Sequence, residues 1–229
     1  MPVKIEKWNP VVKWDSPAGQ TLKLLAVALP KDRIFRITVF GSAPLQLSLD
    51  ANFLSADVDI FAEEDLSQII DRNQLGMGQR PIYIEQCVPS TFSAGPDWPL
   101  RSYIERLENV EFCLPHPIDI LVSKLSRLEE KDVRAFRLVY GLTNEPTEDQ
   151  LKEVLMNAVD LFRPRFDEER AVGDILLNTR RAWEILYGKT IDVRAEIVVP
   201  ALERRRKGYG LDAGGLKEDL SKLNRDSQK

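Results

Sequence analysis

The sequence predicts an α+β protein in which a small mixed β-sheet comes first and an α-helical region follows. Three segments rich in β-branched and aromatic residues, at 34–40, 57–61 and 81–88, all lie in the first half of the chain. Downstream of them, apolar residues recur at helical spacing instead. We therefore expect an α/β domain over residues 1–115 and an α-helical domain over residues 116–229.

Local signals order the elements of the first half. Ser16 followed by Pro17 is typical of a helix start, with serine as the N-cap and proline in the first turn. Alternating β-rich residues then indicate strands. In chain order the predicted elements are a helix to Leu29, a strand at 34–40, a short helix at 43–49, a strand at 57–61, a helix at 63–73, a strand at 81–88, and a hairpin of 103–107 with 110–114.

The second half is predicted to be helical throughout. The expected helices lie at about 117–128, 130–141, 147–162, 167–187 and 190–206, with a weak helix near 214–223.

Composition excludes several classes of protein. Of the 229 residues, 43% are hydrophobic and 30% are charged, and the net charge of −4 argues against a strongly basic protein that coats nucleic acid. Cys87 and Cys113 are too few for a disulfide scaffold, and the single His116 excludes a zinc site of several histidines. With no signal-peptide or membrane-spanning run in view, we expect a cytoplasmic protein.

Asp57 and Asp59 are the strongest candidates for chemistry. Successive strand side chains point to opposite faces, so these two carboxylates share one face and could hold Mg²⁺. Upstream, Gly41 and Ser42 end a strand and open a short helix, where backbone N–H groups could meet a phosphate. Each pair alone has an ordinary explanation, a turn glycine in one case and acids at a strand edge in the other.

Glu85, on the third predicted strand, is the candidate for a third carboxylate beside Asp57 and Asp59. If its side chain points away, no general base is visible for an acceptor hydroxyl.

Two ordered segments resemble the nucleotidyltransferase superfamily. Residues 39–42 and 55–61 are similar to its Gly-Ser and Asp-x-Asp signature, and residues 114–125 with Lys131-Asp132 resemble a segment of bacterial nucleotidyltransferase-like proteins related to abortive-infection toxins. The resemblance covers about residues 33–140. It implies that Lys124 faces the triphosphate and that Asp132 is the later acid of the segment.

Helical spacing adds a possible basic face. Lys124, Arg127 and Lys131 would lie on one side of a continuous helix, where they could meet a polyphosphate. The alternative is a solvated helix face with interleaved acids.

Together these observations predict a metal-dependent nucleotidyltransferase that uses a nucleoside triphosphate and an acceptor that is RNA, protein or a small molecule. Asp57 and Asp59 would hold Mg²⁺ or Mn²⁺ and act with Glu85 in catalysis. The predicted nucleotide-binding residues are Gly41, Ser42, Lys124, Arg127, Lys131 and Asp132. Two alternatives stay open: a catalytically degenerate module that binds nucleotide or a partner, for example in a toxin–antitoxin pair, and a helical scaffold.

Overall fold

The structure, a computed structural model, describes residues 5–53, 57–71, 73–76, 83–163 and 174–208. Within them, five strands form one mixed sheet in the order β3-β2-β1-β5-β4. The strands are β1 (Phe35–Val39), β2 (Val58–Ala62), β3 (Ile84–Gln86), β4 (Tyr103–Leu107) and β5 (Val110–Leu114). The sheet confirms the predicted strands, although β3 is shorter than expected.

Strand pairing brings distant segments together at one end of the sheet. The central strand β1 runs antiparallel to β2 and parallel to β5, while β2 runs parallel to β3 with Asp59 opposite Glu85. The predicted hairpin is confirmed, because β4 and β5 pair antiparallel from Leu107 opposite Val110 to Tyr103 opposite Leu114.

Helices cover the sheet and form most of the second half. They are α1 (Pro17–Ala28), α2 (Ala43–Ser48), α3 (Pro117–Lys124), α4 (Glu130–Thr143), α5 (Glu148–Asn157), α6 (Ile175–Tyr187) and α7 (Val199–Gly208), the last preceded by a π-helical turn at Arg194–Val198. As predicted, Ser16 caps α1, since its Oγ accepts from the Gly19 N–H at 3.1 Å.

Three predicted helices differ from the structure. The helix expected at 147–162 ends at Asn157 and is followed by a 3₁₀ turn at Val159–Phe162. The helix expected at 63–73 is wrong, because the described residues form a 3₁₀ turn at Leu66–Gln68, where Asp65 accepts from the Ser67 N–H at 3.0 Å. The helix expected at 117–128 ends at Lys124. The weak helix near 214–223 and the first residues of the one at 167–187 lie outside the described residues.

Two hydrophobic clusters fill the interior. One packs α1 against the sheet, for example through Leu22 and Phe112. The other joins Phe40 and Phe92, from the sheet region, to Phe136 and Trp183 on the helices. The second cluster thus spans residue 115, and the division at that residue stays a prediction.

A buried ion pair holds α3 against the sheet region. The Arg101 guanidinium donates to both oxygens of Asp119 at 2.6 and 3.1 Å, and Asp119 is fully buried. Arg101 also donates to Asp97 at 2.5 Å, and Asn157 donates to the same Asp97 oxygen at 3.0 Å. These bonds hold the start of α3 in place. They thereby help to orient the helix that ends at Lys124.

Among the described residues, no helix is both long enough and apolar enough to cross a membrane.

Candidate active site

Three carboxylates converge where β2 and β3 lie side by side. Asp57 immediately precedes β2, Asp59 lies within it, and Glu85 lies opposite Asp59 on β3. One carboxylate oxygen from each lies within 4.8 Å of the others. The period-2 alternation predicted that Asp57 and Asp59 share a face, and the structure brings both together with Glu85.

The pKa of Asp59 reflects both its burial and the crowding of negative charge around it. Burial, followed by the charges of Asp57 and Glu85, raises the pKa of Asp59 to about 6, although Lys124 and Arg127 oppose the shift. A cation among the three carboxylates would relieve this repulsion. Hard oxygen donors are the ligands that Mg²⁺ and Mn²⁺ prefer, so the residues present fit such an ion.

Cys87 adjoins the same cluster. Burial and the three acids raise the pKa of its thiol to about 11, so it is protonated at neutral pH.

Gly41 and Ser42 leave β1 beside the acids. Gly41 has φ +65, and a Cβ at this position would overlap the Asp59 carboxylate. The Phe40 N–H donates to the Asp59 carbonyl at 2.7 Å and holds the two segments together. Ser42 stands at the start of α2, and its hydroxyl accepts a hydrogen bond from Lys124 Nζ at 3.1 Å.

Lys124 and Arg127 both point to Asp132. Lys124 Nζ donates to Asp132 Oδ1 at 3.0 Å, and Arg127 Nε donates to Oδ2 at 3.2 Å. Lys124 is 7% exposed and Asp132 is fully buried, whereas half of the Arg127 side chain is exposed. Burial lowers the pKa of Lys124, and the Asp132 carboxylate opposes that shift.

The three basic residues do not form the face that a continuous helix would give them. Because α3 ends at Lys124 and α4 begins at Glu130, the three basic residues belong to different elements, and the intervening turn contains Leu128 at φ 49. Arg127 lies in that turn. Lys131 is the member that the structure does not bring to Asp132, since its Nζ lies 3.8 Å from Glu129 and its side chain is 65% exposed.

Sequence reasoning missed the supports of α3. His116 is the N-cap of α3, because its Nδ1 accepts from the Ile118 N–H at 3.1 Å. Burial, with the charge of Arg101, lowers the pKa of His116 to about 4 and keeps the ring neutral. The sequence pattern did not identify Asp119 as a positioning residue. An acid in the first turn of an otherwise apolar helix is the signal that could have indicated its buried partner, Arg101.

A mixed sheet with converging acids on two neighbouring strands, beside a glycine-serine turn, is the arrangement expected of a nucleotidyltransferase. Residues 20–184 match the family described as "Nucleotidyltransferase of unknown function (DUF6036)", and the chain belongs to that family. The resemblance to the nucleotidyltransferase superfamily is thereby confirmed. No curated protein and no solved structure matches the chain.

Proposed function

We propose that the protein transfers a nucleotide from a nucleoside triphosphate to an acceptor hydroxyl in a reaction that depends on a divalent cation. The observation that carries this proposal is the position of Glu85, whose carboxylate lies within 4.8 Å of the Asp57 and Asp59 ligand atoms. Two acids suffice to bind an ion, whereas a third at the same place can take the proton from the acceptor hydroxyl.

Asp57 and Asp59 would hold Mg²⁺ or Mn²⁺, and the ion would neutralise negative charge on the triphosphate. Glu85 is the more exposed acid of the three, so an acceptor arriving from solvent can reach it. In the transfer, the acceptor oxygen forms a bond to the α-phosphorus as the bond to the pyrophosphate oxygen breaks. The hydroxyl proton goes to the Glu85 carboxylate.

Positive charge supports the phosphate end of the site. Lys124 and Arg127 both lower the pKa of Asp59, so both lie within electrostatic reach of the acids. Ser42, held by Lys124, offers its hydroxyl to a phosphate oxygen beside them. Positioning and charge neutralisation supply most of the catalysis in phosphoryl-type transfers, which suits so small a set of residues.

The alternative, a degenerate module that binds nucleotide or a partner without transfer, depended on Glu85 pointing away from the pair. The close approach of Glu85 to Asp57 and Asp59 favours transfer instead.

The test is transfer of label from each of the four ribonucleoside triphosphates, carrying ³²P at the α-phosphate, with Mg²⁺ or Mn²⁺. Total RNA, protein extract and a small-metabolite extract would be supplied in parallel as acceptors. We expect label in one acceptor class, and we expect Asp57→Asn with Asp59→Asn, or Glu85→Gln alone, to abolish it. A wild-type protein that binds triphosphate yet labels no acceptor would support the binding module.

A further inference from the structure

Lys124 is the residue that the family resemblance places against the triphosphate, yet its ammonium is already engaged inside the protein. The group is 7% exposed, and two of its three N–H donors are directed to Asp132 Oδ1 at 3.0 Å and Ser42 Oγ at 3.1 Å. To turn these donors to the outer phosphates, Lys124 would have to give up two hydrogen bonds made inside the protein, one of them to a fully buried carboxylate, which is costly.

Asp132 organises the whole turn between α3 and α4. Its Oδ1 accepts from Lys124 Nζ at 3.0 Å and Arg127 Nη2 at 3.4 Å, while its Oδ2 accepts from Arg127 Nε at 3.2 Å and the Glu129 N–H at 3.0 Å. Every strong acceptor position of the carboxylate is therefore used to fix cations or backbone.

Arg127 combines a fixed orientation with exposure. Asp132 holds one edge of its guanidinium, but half of the side chain is exposed, and a guanidinium carries five N–H donors in a rigid fork. Glu129 lies 3.6 Å from Arg127 Nε, but this carboxylate is itself 55% exposed and screened by water.

A chain of contacts connects Arg127 to the acid cluster. Arg127 shares the Asp132 carboxylate with Lys124, and Lys124 Nζ donates to Ser42 Oγ at 3.1 Å. Gly41, the neighbour of Ser42, lies against the Asp59 carboxylate. A triphosphate that is held at the acids and extends past Ser42 would therefore meet this guanidinium.

We propose that Arg127 contacts the outer phosphates of the bound triphosphate, and that Lys124 and Asp132 are positioning residues that fix Ser42 and Arg127 from inside the protein. This inference rests on the proposed function. It replaces the expected direct contact of Lys124 with an indirect one that acts through the Ser42 hydroxyl.

The first test is calorimetric titration, with Mg²⁺ present, of inorganic tripolyphosphate, orthophosphate and each of the four ribonucleoside triphosphates. Tripolyphosphate makes the result independent of base preference. Arg127→Ala should weaken tripolyphosphate and triphosphate binding roughly ten- to hundred-fold, and orthophosphate binding less than about twofold. Arg127→Lys should recover only part of the loss, because lysine lacks the planar fork. Lys131→Ala is the matched control, with unchanged affinities.

The second test separates positioning from contact by a double-mutant cycle. Lys124→Met removes the ammonium at similar volume and leaves Asp132 paired with Arg127, and Ser42→Ala removes the hydroxyl that Lys124 holds. If Lys124 acts through Ser42, the two losses in tripolyphosphate affinity should be alike and should not add in the double variant. Should Lys124→Met fail to fold, Lys124→Met with Asp132→Asn takes its place, and every member of the cycle then carries Arg127→Ala, because Asp132 also fixes Arg127.

The outcomes test the inference and the proposed function separately. If the wild type binds none of the polyphosphates with Mg²⁺ or Mn²⁺, the proposed function fails, and the inference fails with it. If the wild type binds them and Arg127→Ala binds equally well, the inference is overturned while the proposed function stands. Additive losses from Lys124→Met and Ser42→Ala would show that Lys124 contacts the ligand itself.

Discussion

Gly41 lies so close to Asp59 that a Cβ on residue 41 would overlap the carboxylate oxygen Oδ2. The glycine follows β1 and the acid lies on β2, and the hydrogen bond from the Phe40 N–H to the Asp59 carbonyl keeps them together. A side chain at position 41 would therefore displace Asp59. The glycine was predicted to permit a phosphate to approach the backbone, and its contact with Asp59 gives it a second role in the acid cluster itself.

We predict that Gly41→Ala weakens binding of Mn²⁺ about tenfold or more in the absence of any nucleotide. The methyl group must displace the Asp59 carboxylate from its present position, which disturbs the arrangement of the three carboxylate oxygens. Mn²⁺ binding can be measured directly by electron paramagnetic resonance titration.

Gly188→Ala is the control for backbone strain. Gly188 has φ +64, almost the same as Gly41 at +65, but nothing lies within 4 Å of the position that its Cβ would take. Both substitutions should cost on the order of 1–2 kcal/mol for the left-handed backbone. Only Gly41→Ala should weaken Mn²⁺ binding, and an equal effect of the two variants would contradict the steric argument.

We predict that, without metal, ionisation of Asp59 makes the wild type progressively less stable than Asp59→Asn as pH rises from about 4 to about 6. Only this difference is diagnostic, because His116, whose pKa is lowered, favours folding as pH rises over the same interval in both proteins. The pKa of Asp59 is about 6 in the folded protein against 3.8 normally, so over this interval Asp59 binds more protons in the folded state than in the unfolded state. Above pH 6, Asp59→Asn should be more stable than the wild type by on the order of 1–2 kcal/mol, after allowance for solvent screening.

Urea denaturation of both proteins from pH 4.5 to 7.5, with chelator, measures this difference. The two curves of unfolding free energy should diverge as pH rises and run parallel above about 6. Curves that stay parallel throughout would show that ionisation of Asp59 does not destabilise the folded protein.

Local patterns predicted the parts of the site that depend on periodicity. Asp57 and Asp59 share a face because strand side chains alternate, and that holds whatever the strand pairs with. The sequence could suggest Glu85 as a third acid but could not fix its place. That place depends on the register that sets Glu85 opposite Asp59, which is a contact between strands distant in sequence.

The failures have the same origin. The helix expected at 63–73 is prevented partly by Gln86, whose side chain accepts from the Leu66 N–H at 2.9 Å, a bond between residues twenty positions apart. A basic face would need one helix to continue through residues 124–131, but Asp132 reaches back to the Glu129 N–H and to Lys124 and stabilises a turn there. The bonds to Gln86 and to Lys124 leave no mark on local periodicity, because they join residues twenty and eight positions apart.

We predict that Asp132→Asn destabilises the protein by about 3–5 kcal/mol, because it leaves the buried Lys124 ammonium without its counter-charge. Burial alone would raise the pKa of Asp132, but the Arg127 hydrogen bond and the Lys124 charge hold that pKa below its usual value. Thermal and urea denaturation at pH 7 measure the loss.

Glu130→Gln is the matched control on the same helix. Glu130 pairs with Arg134 at 2.9 Å, but 83% of its side chain is exposed, so the substitution should leave the thermal and urea midpoints nearly unchanged. A loss from Asp132→Asn as small as that from Glu130→Gln would mean that the buried cluster does not depend on this charge.

Finally, we predict that Asp57→Asn combined with Asp59→Asn abolishes the rise in melting temperature produced by triphosphate with Mg²⁺, while the fold is retained. Crowded carboxylates repel one another when no cation is present, so their neutralisation should leave the stability of the free protein unchanged or raised. The control is Glu63→Gln with Glu64→Gln, which neutralises two exposed acids just beyond the other end of β2 and should keep the full ligand-induced rise. An equal rise in the Asp57–Asp59 double variant would remove these residues from the metal site, and a collapse of its free-state stability would show that the two acids serve the fold instead.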